Sequence, residues 1–264
     1  MKVFVYGTLL KGENLNSFLN DSPFIGYGFT QGVLFDLGYY PGIKEGHDHF
    51  YGELYEVNDQ TLHQLDQLEG YYEKNPDQSL YIRTEVAIIM LHDGSLEQAY
   101  VYFYNRECAD ENKIICGDYR RYKMEKSTKD AQWYIAYGSN MSRERLVERI
   151  GPIAEERKAH IKGYRLVFNK IPGYGKGAYA NISYAPECRC PCVAYKVSLE
   201  QLKDLDGWEG EPYHYVRLGV PGGHIYVAHP SKLVWDHTPS RNYLRHIYQG
   251  YEKHGFETTD LPPL

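Results

Sequence analysis

The chain lacks any apolar run long enough to form a membrane-spanning helix, so no membrane partner is expected. It has no framework of paired cysteines either. The five present are Cys108, Cys116, Cys188, Cys190 and Cys192, an odd number. Met1-Lys2-Val3-Phe4-Val5-Tyr6-Gly7 enters a strand-like run at once, with no charged segment leading into a longer apolar core. Free thiols and a cytoplasmic location follow as expectations. Basic charge is not in excess: 29 Lys and Arg face 35 Asp and Glu, for a net charge of −6. Residues 1–128 carry 11 basic and 20 acidic side chains, and residues 129–264 carry 18 and 15. That balance argues against a nucleic-acid partner, whose phosphates need basic surface. The acidic first half would attract a cationic ligand.

Metal and nucleotide signatures are missing as well. Cys188, Cys190 and Cys192 alternate, so on a strand all three share one face, but they lack the two-residue ligand spacing and second ligand pair of a zinc site. His47-Asp48-His49 lies in a glycine-flanked polar loop. Gly173-x-Gly175-Lys176-Gly177 lacks the Gly-Lys-Ser/Thr ending of a phosphate loop. No bound metal is expected.

The chain does contain a repeat. Tyr55, Val57, Leu62, Leu65, Asp66, Glu69 and Gly70 recur as Tyr195, Val197, Leu202, Leu205, Asp206, Glu209 and Gly210, all offset by 140 positions. Val3-Phe4-Val5-Tyr6-Gly7-Thr8-Leu9 answers to Tyr134-Ile135-Ala136-Tyr137-Gly138-Ser139-Asn140, and Tyr81-Ile82-Arg83 to Tyr215-Val216-Arg217. Three blocks in the same order, with spacing changes between them, define two copies of one domain. The polar stretch from Lys123 to Asp130 is the expected linker, which gives domains over 1–124 and 131–264.

Short apolar runs rich in β-formers predict strands over 32–37, 51–57, 84–90, 99–104, 164–169 and 193–197. The 27 tyrosines suit half-buried sheets. Helices are expected over 59–69, 142–150, 199–209 and 240–254, with Ser198 and Gln201 spaced as a capping box. Many short strands with few helices predict an α+β fold, a barrel-like sheet with helices packed outside.

The sharpest chemical signal lies on the first of those helices. Leu62, Leu65 and Glu69 share one helical face, as do Leu202, Leu205 and Glu209. A glutamate on a core-facing stripe is costly unless it has partners or chemistry to perform. Burial and the carbonyl end of a helix both raise its pKa, which suits a group that accepts a proton and returns it. Asp66 and Asp206, beside them, read as structural hydrogen-bonding residues. The turns Tyr6-Gly7-Thr8-Leu9 and Tyr137-Gly138-Ser139-Asn140 offer backbone amides for a carboxylate or an oxyanion.

Tyr-Gly-Thr-Leu at a first strand, Leu-x-x-Leu-Asp-x-x-Glu-Gly on a helix and Tyr-x-Arg opening the next strand resemble the γ-glutamylcyclotransferase-like superfamily. The first copy is similar to its γ-glutamylamine branch, through Asp36-Leu37-Gly38-Tyr39-Tyr40-Pro41 and Gly117-Asp118-Tyr119. The second is similar to the Tyr-Gly-Ser-Asn branch, through Gly177-Ala178-Tyr179-Ala180-Asn181-Ile182 and Pro239-Ser240-Arg241-x-Tyr243. The resemblance implies a small mixed β-barrel with flanking helices in each copy and no metal or organic cofactor. It also implies catalysis by Glu69 and Glu209, and binding of a glutamyl group by Tyr6, Gly7, Thr8 and Leu9 and by Tyr137, Gly138, Ser139 and Asn140.

The implied reaction releases 5-oxoproline and a free amine from a γ-glutamyl amide, by attack of the substrate's own α-amine on its γ-carbonyl. Such intramolecular attack has a large effective molarity. The leaving amine stays open between γ-glutamyl dipeptides or γ-glutamyl-lysine and a polycationic amine. The acidic first half suits the latter, and a tandem protein of this family removes a γ-glutamyl protecting group in butirosin-type aminoglycoside biosynthesis. A non-catalytic tandem binding module is the competing class. Pro191-Cys192 and Val220-Pro221-Gly222-Gly223 depart from the family's pattern, so one copy, the second on these grounds, is expected to be impaired or to shape the other's pocket.

Overall fold

A computed structural model describes residues 1–127, 131–173, 177–235 and 237–264. Thr128, Lys129 and Asp130 of the expected linker, and Tyr174, Gly175 and Lys176 of the glycine run, lie outside the described residues. The chain divides into two compact units, Met1–Lys123 and Met124–Leu264. Each is a five-stranded mixed sheet with flanking helices, so the α+β architecture occurs twice.

In the first unit β1 (Lys2–Val5), β2 (Phe24–Asp36), β3 (Pro41–Glu56), β4 (Tyr81–Met90) and β5 (Leu96–Tyr104) close a barrel in the order β1-β3-β2-β4-β5. Closure is made by β1 lying parallel to β5 at Val3 and Tyr100. On the other side β2 meets β4 at Gly28–Met90 and Phe29–Ile89. Alternation along β1 serves both faces of the wall. Phe4 and Tyr6 enter the barrel core with Leu34, Ile43, Phe50 and Leu54, whereas Val3 and Val5 face Leu62 and Leu65 of α1 (Asp59–Leu68).

The unit's last residues open α2 (Tyr119–Ser127), which continues past Lys123. Residues 123–127, expected in the linker, are therefore helical. The sequence is made of good helix formers, and tertiary anchors fix it: Tyr119 is buried in the barrel core, and the Arg120 guanidinium pairs with Glu53 at 2.9 Å.

The second unit repeats the order without the last seam. Its strands are β6 (Gln132–Ala136), β7 (Glu155–Lys170), β8 (Tyr179–Val197), β9 (Tyr215–Val220) and β10 (Gly223–Ala228). They form an open sheet, β7-β8-β6-β10-β9. The last hairpin is indeed short, turning through Pro221-Gly222. The strand over 164–169 is part of a longer hairpin, and β8 runs unbroken through Pro191 and Cys192. Proline is tolerated there because β6 covers only Val193–Val197, so Pro191 lies where β8 has one partner, β7. Cys190 and Cys192 are buried and all five cysteines are free thiols. Burial, then the neighbouring Cys192 and Cys188, push the Cys190 thiol up, as expected of side chains sharing one strand face.

The unit's helices are α3 (Arg143–Ile150), α4 (Leu199–Glu209) and α5 (Arg241–Lys253). Ser198 and Gln201 form the expected reciprocal capping box on α4, and Gly210 ends it in the left-handed region at φ 65°. Asn58 caps α1 more simply, accepting from the Thr61 amide at 2.8 Å.

Candidate functional site

The repeated tyrosines, arginines and aspartates build the same frame in each copy. Tyr6 donates its hydroxyl to the Tyr102 carbonyl at 2.6 Å, and Tyr137 does so to Tyr226 at 2.6 Å. Tyr102 in turn donates to Asp66 at 2.8 Å, and Tyr226 to Asp206 at 2.6 Å. Arg83 pairs with Asp66 at 2.6 Å, and Arg217 grips both oxygens of Asp206 at 2.7 and 2.9 Å. Tyr81 donates to the Pro41 carbonyl and Tyr215 to the Ala180 carbonyl, each at 2.7 Å. The Tyr-x-Arg motif thus aims two residues on one strand face, the tyrosine at the opposite strand and the arginine at the helix aspartate. Asp66 and Asp206 are joints of this frame.

The frame brings together every candidate catalytic and glutamyl-binding residue of each copy. Tyr6, Gly7, Thr8, Leu9 and Glu69 line one cavity, with Tyr40, Pro41, Tyr81 and Tyr102. Tyr137, Gly138, Ser139, Asn140 and Glu209 line the other, with Ala180, Tyr215 and Tyr243. The two glycines serve a close approach. A Cβ on Gly7 would lie 2.5 Å from Pro41 Cγ, and one on Gly138 would lie 2.9 Å from Ala180 Cβ. Glycine lets each turn press against the strand that supplies the carbonyl acceptor.

Beyond the frame the two cavities diverge. The first has a volume of about 240 Å³ and the second about 30 Å³. No cation lines the first cavity, and among the described residues nothing donates a hydrogen bond to the Glu69 carboxyl. Burial alone lifts this carboxyl from its ordinary value of 4.5 to about 7. The Thr8 and Leu9 amides, which line the same cavity, donate to no acceptor among the described residues. The turn is held by Glu53, which is fully buried. This carboxylate accepts the Lys11 amide at 2.8 Å, the Tyr55 hydroxyl at 2.9 Å and the Arg120 guanidinium.

In the second copy the carboxylate is engaged. Asn140 donates to Glu209 at 2.9 Å, and Arg149 donates to the same oxygen at 3.0 Å. Arg149 also donates to the Asn140 side-chain carbonyl at 3.0 Å and lies over the Trp208 ring. Leu9 occupies the place of Asn140 in the first copy, and an alkyl group cannot reach Glu69 with a donor. The second turn, unlike the first, leads into an α-helix, and α3 delivers Arg149. After Leu9 the first chain makes only a single 3₁₀ turn, Asn16–Leu19. The helix expected over 142–150 is thus present behind the second turn, as α3.

Two parts of these sites escaped the sequence. Tyr81 and Tyr215 were visible as repeats without a role, and Arg149 carried no signal because it lies outside the repeated blocks. Among the described residues no group of three His, Cys, Asp or Glu side chains is placed to hold a metal ion, and no helix is long and apolar enough to cross a membrane.

Two sites on one frame, each joining a strand-end Tyr-Gly turn to the glutamate that ends a helix, define a family. The chain belongs to the γ-glutamyl cyclotransferase, AIG2-like family, whose pattern matches residues 3–121 and again residues 134–245. It is 34% identical over 149 residues to the Bacillus subtilis protein YkqA, an alignment covering 54% of this chain and 50% of YkqA. The crystal structure of YkqA superposes on 96% of this chain and 91% of its own, with a TM-score of 0.73 and 25% identity. The Methanocaldococcus jannaschii protein MJ1514 is 37% identical over 125 residues, which cover 46% of this chain and 97% of that one. The γ-L-glutamyl-butirosin B γ-glutamyl cyclotransferase of Niallia circulans is 30% identical over 125 residues, 47% of this chain and 78% of that enzyme. The expectation that the butirosin protein is itself a tandem is thereby corrected, since 125 residues already cover most of it and it has room for one copy.

Proposed function

We propose that this protein is a γ-glutamylcyclotransferase, acting in the first copy, that releases 5-oxoproline and a free amine from a γ-glutamyl amide. One observation carries the reading. An unpaired carboxyl with a pKa of about 7 lines a 240 Å³ cavity together with two unsatisfied turn amides.

The chemistry needs both features. Glu69, as carboxylate, takes a proton from the α-ammonium of the substrate, and the resulting amine attacks the γ-carbonyl carbon to close a five-membered ring. The Thr8 and Leu9 amides, on the turn that lines the same cavity, would receive the oxygen that gains charge. As the bond from the carbonyl carbon to the leaving nitrogen breaks, the Glu69 carboxylic acid returns its proton to that nitrogen, and the ring nitrogen gives up its second proton to the departing amine, which leaves as an ammonium. A group that must be a base and then an acid works best with a pKa near the working pH. No water is consumed. Glu209 has the same place on its helix, but its oxygen is already bonded to Arg149 and Asn140, and its cavity is too small for a glutamyl amide.

The leaving amine is read from the rim. The cavity wall is aromatic where Tyr40 and Tyr81 meet, with ring centroids 6.3 Å apart, and Tyr39 beside them is 94% exposed. Aromatic faces, absence of a lining cation and an acidic surrounding copy favour an amine that is itself cationic, such as γ-glutamyl-lysine or a γ-glutamyl aminoglycoside.

The test is mass-spectrometric detection of 5-oxoproline from γ-glutamyl-alanine, γ-glutamyl-lysine and a γ-glutamylated aminoglycoside. Release of 5-oxoproline, fastest from the cationic substrates and lost in Glu69→Gln, is the expected result. Free glutamate in its place would make the site a hydrolase. Intact substrates throughout would move the binding-module reading ahead.

A further inference from the structure

A fully buried carboxylate sits behind the first turn, and the fold itself does not ask for it. Glu53 is 0% exposed, and in the second copy its place in the repeat is taken by Val193, also 0% exposed. Burying an ion pair removes two charges from water, so an apolar pair of similar volume is often as stabilising or more so. The second copy does without that carboxylate and keeps the same frame. The pair in the first copy therefore needs a reason other than stability.

The reason lies at Lys11, which stands where Ser142 stands in the second copy. There the Ser142 amide closes the turn on itself by donating to the Ser139 carbonyl at 3.2 Å. The Ser142 carbonyl accepts the Leu146 amide at 3.0 Å and so starts α3. In the first copy both peptide groups of Lys11 are taken elsewhere. Its amide donates to Glu53 Oε2 at 2.8 Å, and its carbonyl accepts from Arg120 Nη2 at 2.7 Å. Arg120 Nη2 also donates to Glu53 Oε1 at 2.9 Å, and the Tyr55 hydroxyl holds Glu53 Oε2 at 2.9 Å. The Thr8 carbonyl, which a self-closing turn would use, accepts the Leu15 amide at 3.0 Å instead. Up to Leu10 the two turns match: Leu10 donates to the Gly7 carbonyl and Met141 to the Gly138 carbonyl, at 3.0 and 2.9 Å. They part at Lys11, and only the second goes on into the α-helix that brings Arg149 to its glutamate.

We infer that Glu53 and Arg120 are positioning residues, a clamp on the Lys11 peptide that fixes the shape of the turn carrying the Thr8 and Leu9 amides and keeps it from winding up as the second turn does. Neither side chain lines the cavity, so both act through the backbone. The effect on rate rests on the cyclisation proposed for this copy, whereas the effect on the turn does not. Donors held in place need no reorganisation as charge develops on an oxygen, so loosening them falls on kcat more than on KM.

The experiment uses the full chain carrying Glu53→Val and Arg120→Met together, which copies Val193 and removes the counter-charge with the carboxylate. This double variant should fold, with a Tm no lower than that of Arg120→Met alone. Hydrogen exchange over residues 7–12, read by mass spectrometry, should quicken at least about tenfold while the rest of the first unit keeps its protection. The kcat for 5-oxoproline release should fall about 10²-fold, as for loss of one oxyanion donor, with KM changed less than about threefold. The pH midpoint of kcat/KM should stay at about 7, because Glu69 is untouched. Glu53→Gln with Arg120→Met, in which the glutamine carbonyl can still accept the Lys11 amide, should recover most of both losses. A side chain that merely fills space would give no such rescue. Unchanged exchange over residues 7–12, unchanged kcat in an active chain, or a double variant that does not fold would overturn the inference. Faster exchange in a chain whose parent releases no 5-oxoproline would sink the cyclisation and leave the clamp standing.

Discussion

The two copies share a frame and differ in how each holds its glutamate. Glu69 faces a cavity lined by no cation and keeps a proton up to about pH 7, whereas Glu209 is bonded to Arg149 and Asn140. The turns are supported differently too. In the first copy a buried ion pair, Glu53 with Arg120, ties the turn to α2. The matching residue of the second copy is Val193, and there the turn is held by packing. Gly250 of α5 lies so close to Met141 that a Cβ would sit 2.4 Å from the methionine Cβ, and Tyr195 donates to the Met141 carbonyl at 2.8 Å. One fold therefore offers the same carboxyl two environments, and a few side chains around the turn decide between them.

The largest test of this contrast is the pair Glu69→Gln and Glu209→Gln. Loss of an acid/base group costs about 10²–10⁴ in rate. The first variant should lose that much 5-oxoproline release and the second less than about threefold, the expectation for a group outside the reacting site. Equal losses would show that both copies turn over.

Breaking the support of the first turn comes next. Arg120→Met leaves Glu53 buried without its counter-charge and should destabilise the first unit by about 3–5 kcal/mol, read from denaturant midpoints. Asp206→Asn weakens the grip on Arg217, which is 3% exposed, and should cost about 2–3 kcal/mol. Asp66→Asn should cost less, because Arg83 is only half-buried.

The pH dependence sharpens the comparison further. Glu69 must be ionised to accept the ammonium proton, so kcat/KM should level off above pH ~7 and fall about tenfold per unit below it. Stability runs the other way. The folded chain binds this proton more tightly than the unfolded chain, so the contribution of Glu69 is full below pH 4.5 and is lost as pH rises through about 7. Glu69→Gln should therefore be more stable than the parent at pH 8, by about 3 kcal/mol, and equal to it at pH 4.

The smallest effects belong to the helix caps. Asn58→Ala and Ser198→Ala should each cost about 1 kcal/mol, with the larger loss at Ser198, whose capping box is reciprocal.

Much of this was legible in particular residues. The strand alternation, the leucines of α1 and α4 and the glycine after each glutamate are local patterns, and they place the glutamates at helix ends. The capping box was legible for the same reason. Helix α2 was hidden because its anchors, the barrel core around Tyr119 and the carboxylate of Glu53, are distant in sequence. Arg149 was hidden similarly. It reaches Glu209 from a different helix 60 positions earlier in the chain.

By itself, then, the sequence determined the duplication, the α+β class and the motif residues that line the two cavities, because periodicity, turn chemistry and repeated motifs are written in neighbouring positions. Only the tertiary structure decided what each glutamate is. The state of a carboxyl depends on the water removed from around it and on the donors brought to it, and the fold gathers those from five strands and several loops. Glu69 and Glu209 carry the same motif, yet burial without a partner raises the pKa of one to about 7 and an arginine makes the other half of an ion pair.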